Sequence, residues 1–287
     1  MMRPSLLVFA LAAVSISQTK PPTQTRSNPL NDARLLIGAA TDGKLRQVKH
    51  YLALGVPVDA QTGDGASALY AAAVSDHTDI VRLLLKSGAK PNGLSQASAP
   101  LLSTHHCGPE ILKLLIDAGA NIEVRSNQGW TPLFECAANG KTENVRILLA
   151  KKANPNIVDP KGDTPLHWAA GNVQIVKMLV RAGAKVNCAN RDGETPLMKA
   201  ALSCDRSSAQ ALLDAGADPK AIDIEGRTAK DLVRYRAEDW ARSAKAFAQE
   251  KPGKDRFMND LNRSNVQGFL RDAAKARRML AFLNKIH

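Results

Sequence analysis

Apolar residues recur along this chain in short blocks at helical spacing, each closed by a glycine or an alanine. Ile80-Val81-x-Leu83-Leu84-Leu85 runs into Lys86-Ser87-Gly88-Ala89, and Ile175-Val176-x-Met178-Leu179-Val180 runs into Arg181-Ala182-Gly183-Ala184. Leu45, Val48, Tyr51 and Leu52 keep the same spacing, as do Ile111, Leu112, Leu114, Leu115 and Ile116. Such blocks predict short amphipathic helices with one buried face, stopped where a left-handed residue is needed. Before several of them stands a shorter block that opens Thr-Pro-Leu, at Thr131, Thr164 and Thr195, with Thr228-Ala229 following. Thr at an N-cap and Pro at the first helical position favour a helix start. The steps between these blocks are 33, 31 and 33 residues. Self-similarity at that period predicts stacked supersecondary units instead of one globular core.

The fullest form of the block is Thr164-Pro165-Leu166-His167-Trp168-Ala169. The chain here resembles the ankyrin repeat family, whose signature is Thr-Pro-Leu-His-x-Ala, and the resemblance extends over roughly Ala33 to Val233. It implies an all-α fold: an ankyrin-repeat α-solenoid of about six to seven helix-turn-helix units with β-turn fingers and a C-terminal helical cap. The first unit, about 31–61, lacks Thr-Pro and reads as the N-terminal cap, since a terminal unit turns one face to water. The second, 62–92, turns at Asp64-Gly65 and has Ser67-Ala68-Leu69-Tyr70 in the motif position. The third, about 95–125, is the most divergent, with Ala99-Pro100-Leu101-Leu102 in that position and Gly108-Pro109 opening its second helix. Units four to six, 126–158, 159–189 and 190–222, carry the full Thr-Pro start after Gln128-Gly129, Lys161-Gly162 and Asp192-Gly193 turns. In the fifth, the connection Gly171-Asn172-Val173-Gln174 is short, which predicts a tighter inter-helix turn. Lys152-Ala153 departs from the Gly-Ala stop, which predicts a strained or frayed helix end.

After Val233 the period is lost. A helix is expected over 234–250, stopped by Lys251-Pro252-Gly253, and a last helix capped by Ser264. Residues 234–287 hold thirteen Lys or Arg against six Asp or Glu, an excess of seven out of the chain's net +12. A basic balance favours acidic partners without naming one. The tail's aromatics do not interleave with its basic residues as nucleic-acid stacking platforms would, so no nucleic acid is expected. Its expected role is to cover the apolar edge of the last repeat.

Residues 1–17 read as a signal peptide: Arg3 precedes the apolar run of Leu6 to Val14, and Ser15-Ile16-Ser17 offers small residues for cleavage. An uncleaved anchor is the other reading. Residues 18–30, rich in Pro, Thr, Ser and Gln, read as a spacer. No later apolar run approaches a membrane span, so a secreted or periplasmic protein without a span after leader removal is expected. Export permits disulfides, but Cys107, Cys136, Cys188 and Cys204 allow three full pairings, and buried free thiols are an equal reading. Asn262-Arg263-Ser264 fits a glycosylation acceptor in a eukaryotic host.

No phosphate loop, nucleophile elbow or His-Glu-x-x-His pair is present, so no enzyme is expected. His105 and His106 are adjacent and would diverge by about 100° on a helix, which disfavours one shared ion. No metal or cofactor is expected. By the resemblance, His167 hydrogen-bonds between fingers, and the partner is a protein held on the concave surface of turn fingers and first helices. The residues so implied are Asn127, Gln128 and Trp130, then Pro160, Lys161 and Asp163, then Arg191, Asp192 and Glu194, with Ala138, Asn139, Leu202 and Ser203 from the helices. Trp130 is either an exposed anchor or packed against the adjacent finger. The expected function is protein recognition by a monomer. Alternatives are an inhibitor, immunity or chaperone-like protein that masks an exported enzyme, and a ligand or catalytic site in the C-terminal segment.

Overall fold

The structure, a computed structural model, describes residues 29–63, 65–93, 99–103, 107–249 and 256–286. The leader, the spacer as far as Asn28, Asp64 of the second turn and the His105-His106 pair lie outside the described residues. Thirteen α-helices run through the rest. They are α1 (Pro29–Thr41), α2 (Leu45–Ala53), α3 (Ala68–Val74), α4 (Thr78–Lys86), α5 (Pro109–Asp117), α6 (Pro132–Ala138) and α7 (Thr142–Ala150). Then follow α8 (Pro165–Trp168), α9 (Val173–Arg181), α10 (Pro196–Leu202), α11 (Arg206–Asp214), α12 (Ala229–Gln249) and α13 (Arg256–Leu283).

The helices stack in two rows. One row is α1, α3, the 3-10 turn Pro100–Ser103, α6, α8, α10 and α12; the other is α2, α4, α5, α7, α9 and α11. The second row is built from repeated nine-residue helices that bury positions i, i+1 and i+4: Ile80, Val81 and Leu84, then Ile111, Leu112 and Leu115, then Ile175, Val176 and Leu179. That spacing places all three on one face. The buried side chains join into a single core that runs from Leu36 to Leu283.

The helix starts follow the caps. The Thr131 hydroxyl accepts the Phe134 N–H at 3.3 Å, and the Thr195 hydroxyl accepts the Met198 N–H at 3.4 Å. Ala99 stands in the same position of the third unit and has no side-chain oxygen to offer; a 3-10 turn follows it instead of an α-helix. In the fifth unit the short connection compresses the first helix to α8, continued by the 3-10 turn Ala169–Gly171. The tighter turn expected there is present. The predicted strain at Lys152 also appears, as a φ of +66°.

The C-terminal part differs from the sequence expectation in two ways. No boundary falls at Val233, because α12 runs unbroken from Ala229 to Gln249, so the first helix of the seventh unit and the tail helix are one. No helix breaker stands between 229 and 249 to divide them. The final helix spans Arg256–Leu283, so Ser264 lies within it and is not its cap. α12 packs on α10 and on α13, and Ala237, Ala244, Ala276, Met279 and Phe282 are buried among the described residues of this pair. The pair covers the apolar end of the stack. All four cysteines are free thiols, Cys107 and Cys136 buried. Burial pushes the Cys107 thiol up to about 12, which leaves it inert at neutral pH.

Candidate functional site

Each finger is a five-residue turn folded around one short polar side chain. Asp159 Oδ1 accepts the N–H groups of Lys161 and Asp163 at 2.8 and 2.9 Å. Asn190 Oδ1 accepts those of Asp192 and Glu194 at 3.0 and 2.9 Å, and Asp223 Oδ1 those of Glu225 and Arg227 at 3.0 and 2.9 Å. These three anchors are buried. Asp and Asn suit the position because a short side chain can bond its own backbone two residues on. Burial opposes the Asp223 charge, but the hydrogen bonds from Arg227 and Glu225 hold its carboxyl below the usual value. The sequence reading named the finger tips and missed these anchors, although their 31- and 33-residue spacing is the repeat period itself.

Backbone bonds join the fingers. Arg191 N–H donates to the Lys161 carbonyl at 2.9 Å, and Ile224 N–H to the Asp192 carbonyl at 3.0 Å. At the preceding junction the equivalent donor would be residue 160, which is proline and has no N–H. Side chains join that junction instead. The Trp130 indole N–H donates to Asp159 Oδ2 at 3.4 Å, and the Arg125 guanidinium to the Val158 carbonyl at 3.3 Å. The Pro160 ring lies over Gly129, where a Cβ would stand 3.1 Å from Pro160 Cδ.

His167 connects finger to finger, as expected. Its Nδ1 accepts the Thr164 N–H at 3.0 Å, and its Nε2–H donates to the Glu194 carbonyl at 3.1 Å. These partners fix the neutral ring with its proton on Nε2. Burial lowers its pKa, against the opposing pull of the Glu194 carbonyl and Asp163.

The implied contact residues divide into three groups. Asn127, Gln128, Pro160, Lys161, Arg191 and Asp192 are exposed on the finger tips, and Asn139 and Ser203 on the helices. Ala138 and Leu202 are half-buried. Asp163 is 3% exposed and accepts the Asn190 amide at 2.8 Å, so it is a spacer between fingers and cannot reach a partner. Glu194 is half-buried, bonded to Asn190 and paired with Lys199. Trp130 is half-buried: its ring stacks on Phe134 at 4.7 Å and meets Trp168 edge-on at 5.1 Å. Packing is therefore its main role.

The large exposed ring belongs to Trp168, which is 43% exposed. It occupies the variable position of Thr-Pro-Leu-His-x-Ala, with Glu135 and Lys199 in the same place on either side. That variable place was the available signal. In this motif the fixed residues face the core, so the unfixed one faces out.

A family model for ankyrin repeats matches three times, over residues 35–125, 101–190 and 153–223. The chain belongs to the ankyrin repeat family. Over 206 residues it is 31% identical to human ankyrin repeat and SOCS box protein 16, a match that covers 67% of this chain and 45% of that protein. It is 40% identical over 118 residues to the ankyrin repeat and KH domain-containing protein mask-1 of Caenorhabditis elegans, covering 40% of this chain and 4% of that one. The chain thus spans less than half the length of these curated relatives. Among solved structures, the ankyrin repeat domain of human ASB11 superposes with a TM-score of 0.62 at 30% identity, covering 69% of this chain and 90% of that one. The ankyrin repeat domain of Bcl-3 gives 0.59 at 26%, covering 69% and 92%. Ankyrin arrays of this kind generally mediate protein–protein interaction and are typically not catalytic. Among the described residues there is no group of three or more His, Cys, Asp or Glu placed to hold a metal ion. No described helix is long and apolar enough to cross a membrane.

Proposed function

We propose that this chain is a non-enzymatic recognition scaffold that binds a protein on the face made by its fingers and first helices. The carrying observation is the exposed Trp168 ring, set beside finger tips held in register by the Arg191–Lys161 and Ile224–Asp192 backbone bonds. A surface ordered before binding loses little conformational entropy when a partner arrives. The opposite row of second helices presents mainly solvated charge, including Lys86, Arg146 and Lys177. The leader pattern of residues 1–17 supports placing this recognition outside the cytoplasm, in the periplasm or beyond.

The test is affinity capture with the full chain and three variants, Trp168→Ala, Arg191→Glu and Lys177→Glu. The first two should lose a partner that the third retains. Retention of every partner by Trp168→Ala and Arg191→Glu would move the interface off this face. A single exported enzyme, captured and inhibited, would favour the masking reading over a general scaffold.

A further inference from the structure

Successive fingers press on one another at a fixed glycine. A Cβ at Gly129 would stand 3.1 Å from Pro160 Cδ, one at Gly162 3.1 Å from the Arg191 nitrogen, and one at Gly193 2.8 Å from Asp223 Cα. Each glycine therefore marks where the next finger lies. Gly226 holds the same place in the last finger, with a φ of +76° against +74° to +83° at the other three, and nothing lies within 4 Å of the Cβ it would carry. The acceptors follow the same rule. The Lys161 carbonyl takes the Arg191 N–H and the Asp192 carbonyl takes the Ile224 N–H, but the equivalent Glu225 carbonyl accepts no backbone N–H among the described residues. The finger ladder is thus open at its C-terminal edge, although α12 and α13 cover the helices beside it.

That edge is apolar. Asp223 is 4% exposed and turns inward, while Ile222 and Ile224 on either side of it are 59% and 71% exposed. Val158 and Ala189 hold the place of Ile222 in the two preceding fingers and are also exposed, so Ile222 ends an apolar row. The charges beside the edge, Asp192, Glu225 and Arg227, have both signs, and Arg227 pairs with Glu225 and with Asp223. The earlier junctions define what would complete the edge: a stretch of backbone that gives an N–H to the Glu225 carbonyl, lies close over Gly226 and sets apolar side chains beside Ile222 and Ile224. We propose that the last finger is a docking edge for an extended segment of a protein partner, with β-branched residues at alternate positions, added to the ladder as one further strand. Edge addition draws affinity from main-chain hydrogen bonds and specificity from alternate side chains. A second copy in two-fold contact fits poorly. The N–H groups of Glu225, Gly226 and Arg227 are all taken by Asp223, so such a contact would set acceptor against acceptor. This edge is a second surface and does not depend on the Trp168 face.

The test uses the full chain labelled with 15N and a blocked peptide, Ala-Ile-Asp-Ile-Glu-Gly-Arg-Thr, which copies residues 221–228, the stretch seated on Gly193. Its control carries an N-methyl group on the second isoleucine, the residue that would donate. Saturable shifts are expected at the amides of Ile224 and Gly226, the latter sharing a peptide group with the Glu225 carbonyl. Gly162 and Gly193 should not move, and the N-methyl peptide should bind at least about tenfold more weakly. Ile224→Lys places a charge on an exposed side chain and leaves the backbone bond to Asp192 in place, so it should abolish the response at unchanged melting temperature. Equal binding of the N-methyl peptide, no shifts, or an undiminished response in Ile224→Lys would overturn the proposal. So would shifts of the same amides that grow with protein concentration in the absence of peptide, since a second copy would then hold the edge.

Discussion

The His167 imidazole spans two fingers: its Nε2–H reaches the Glu194 carbonyl at 3.1 Å while its Nδ1 holds the Thr164 N–H at 3.0 Å. The Nδ1 bond requires the neutral ring, because protonation of Nδ1 would remove the acceptor that Thr164 uses. Asp163, Glu194 and Lys199 are the charged groups around it.

A pH dependence follows from that ring. Its folded pKa is depressed from the ordinary 6.5, mainly by burial. The unfolded chain therefore takes up the proton first as pH falls, and the stability supplied by neutral His167 is complete above pH 6.5 and lost progressively below it. The melting temperature of the wild type should fall between pH 7.5 and 5. His167→Phe, which borrows the residue found at position 134, should flatten that slope. It should also cost about 1–3 kcal/mol at pH 7.5, since the Glu194 carbonyl and Thr164 N–H lose their partner. Thermal melts of both proteins across this range decide it.

Two left-handed residues should respond differently to glycine. Lys152 has a φ of +66° where Gly88, Gly119, Gly183 and Gly216 stand at +88° to +90° in the equivalent helix stops. The strain is local to the backbone and costs about 1–2 kcal/mol for a residue with a Cβ. Lys152→Gly should raise stability by about 0.5–1 kcal/mol after allowing for the added freedom of glycine in the unfolded chain. Asp76 has a similar φ of +60°, but its carboxylate accepts the Gly108 N–H at 2.6 Å. Asp76→Gly should give no gain. Chemical denaturation midpoints of the two variants provide the comparison.

How much of this was legible in the sequence depended on whether a residue's role repeats. The Thr-Pro starts, the Gly-Ala stops and the strain at Lys152 could all be read, because each is a fixed position of a periodic pattern or a visible departure from it. The burial of Asp163 could not. It is set by Asn190 in the next finger, 27 residues on, and spacing alone does not say which acid of a finger turns inward. Trp168 was legible only through its variable place in the motif, shared with Glu135 and Lys199, and not as a ring. Pro160, by removing one inter-finger donor, leaves Trp130 to make the side-chain bond to Asp159. The continuity of α12 was missed because the family motif ends at Leu232 while helix-forming residues continue past it.

Glutamate 123 occupies a place where asparagine works better. Asn156 Oδ1 accepts the Lys185 N–H at 2.8 Å, and its Nδ2 donates to the Gly183 carbonyl at 3.0 Å. Asn187 makes the same pair to Asp218 and Gly216 at 2.8 and 2.9 Å. Glu123 Oε1 accepts the Asn154 N–H at 2.7 Å, but its buried Oε2 has no hydrogen-bond partner among the described residues. A carboxylate has no proton to give the carbonyl that an amide reaches in the equivalent loops. Glu123→Gln keeps the shape and supplies the donor, so it should stabilise by about 1 kcal/mol. Little change in the denaturation midpoint would mean that Oε2 is served by water.

The C-terminal end of the stack and its middle should melt differently when a buried apolar side chain is truncated. Leu148 is fully buried between α7 and its neighbours on both sides, whereas Phe282 is 7% exposed on α13, which packs chiefly on α12 and beside Arg206 of α11. Phe282→Ala should cost about 3–5 kcal/mol and Leu148→Ala about 2–5 kcal/mol. In a stack held by nearest-neighbour contacts, the cost at an end is felt first by the terminal unit, while the cost in the middle is shared by units on either side. Phe282→Ala should therefore add a separate low-temperature transition in calorimetry, with amide exchange quickened in α12 and α13 and unchanged in α6 and α7. Leu148→Ala should shift the main transition instead. If Phe282→Ala moved only the main transition, α13 would be part of the array's cooperative unit and not a cap laid over its end.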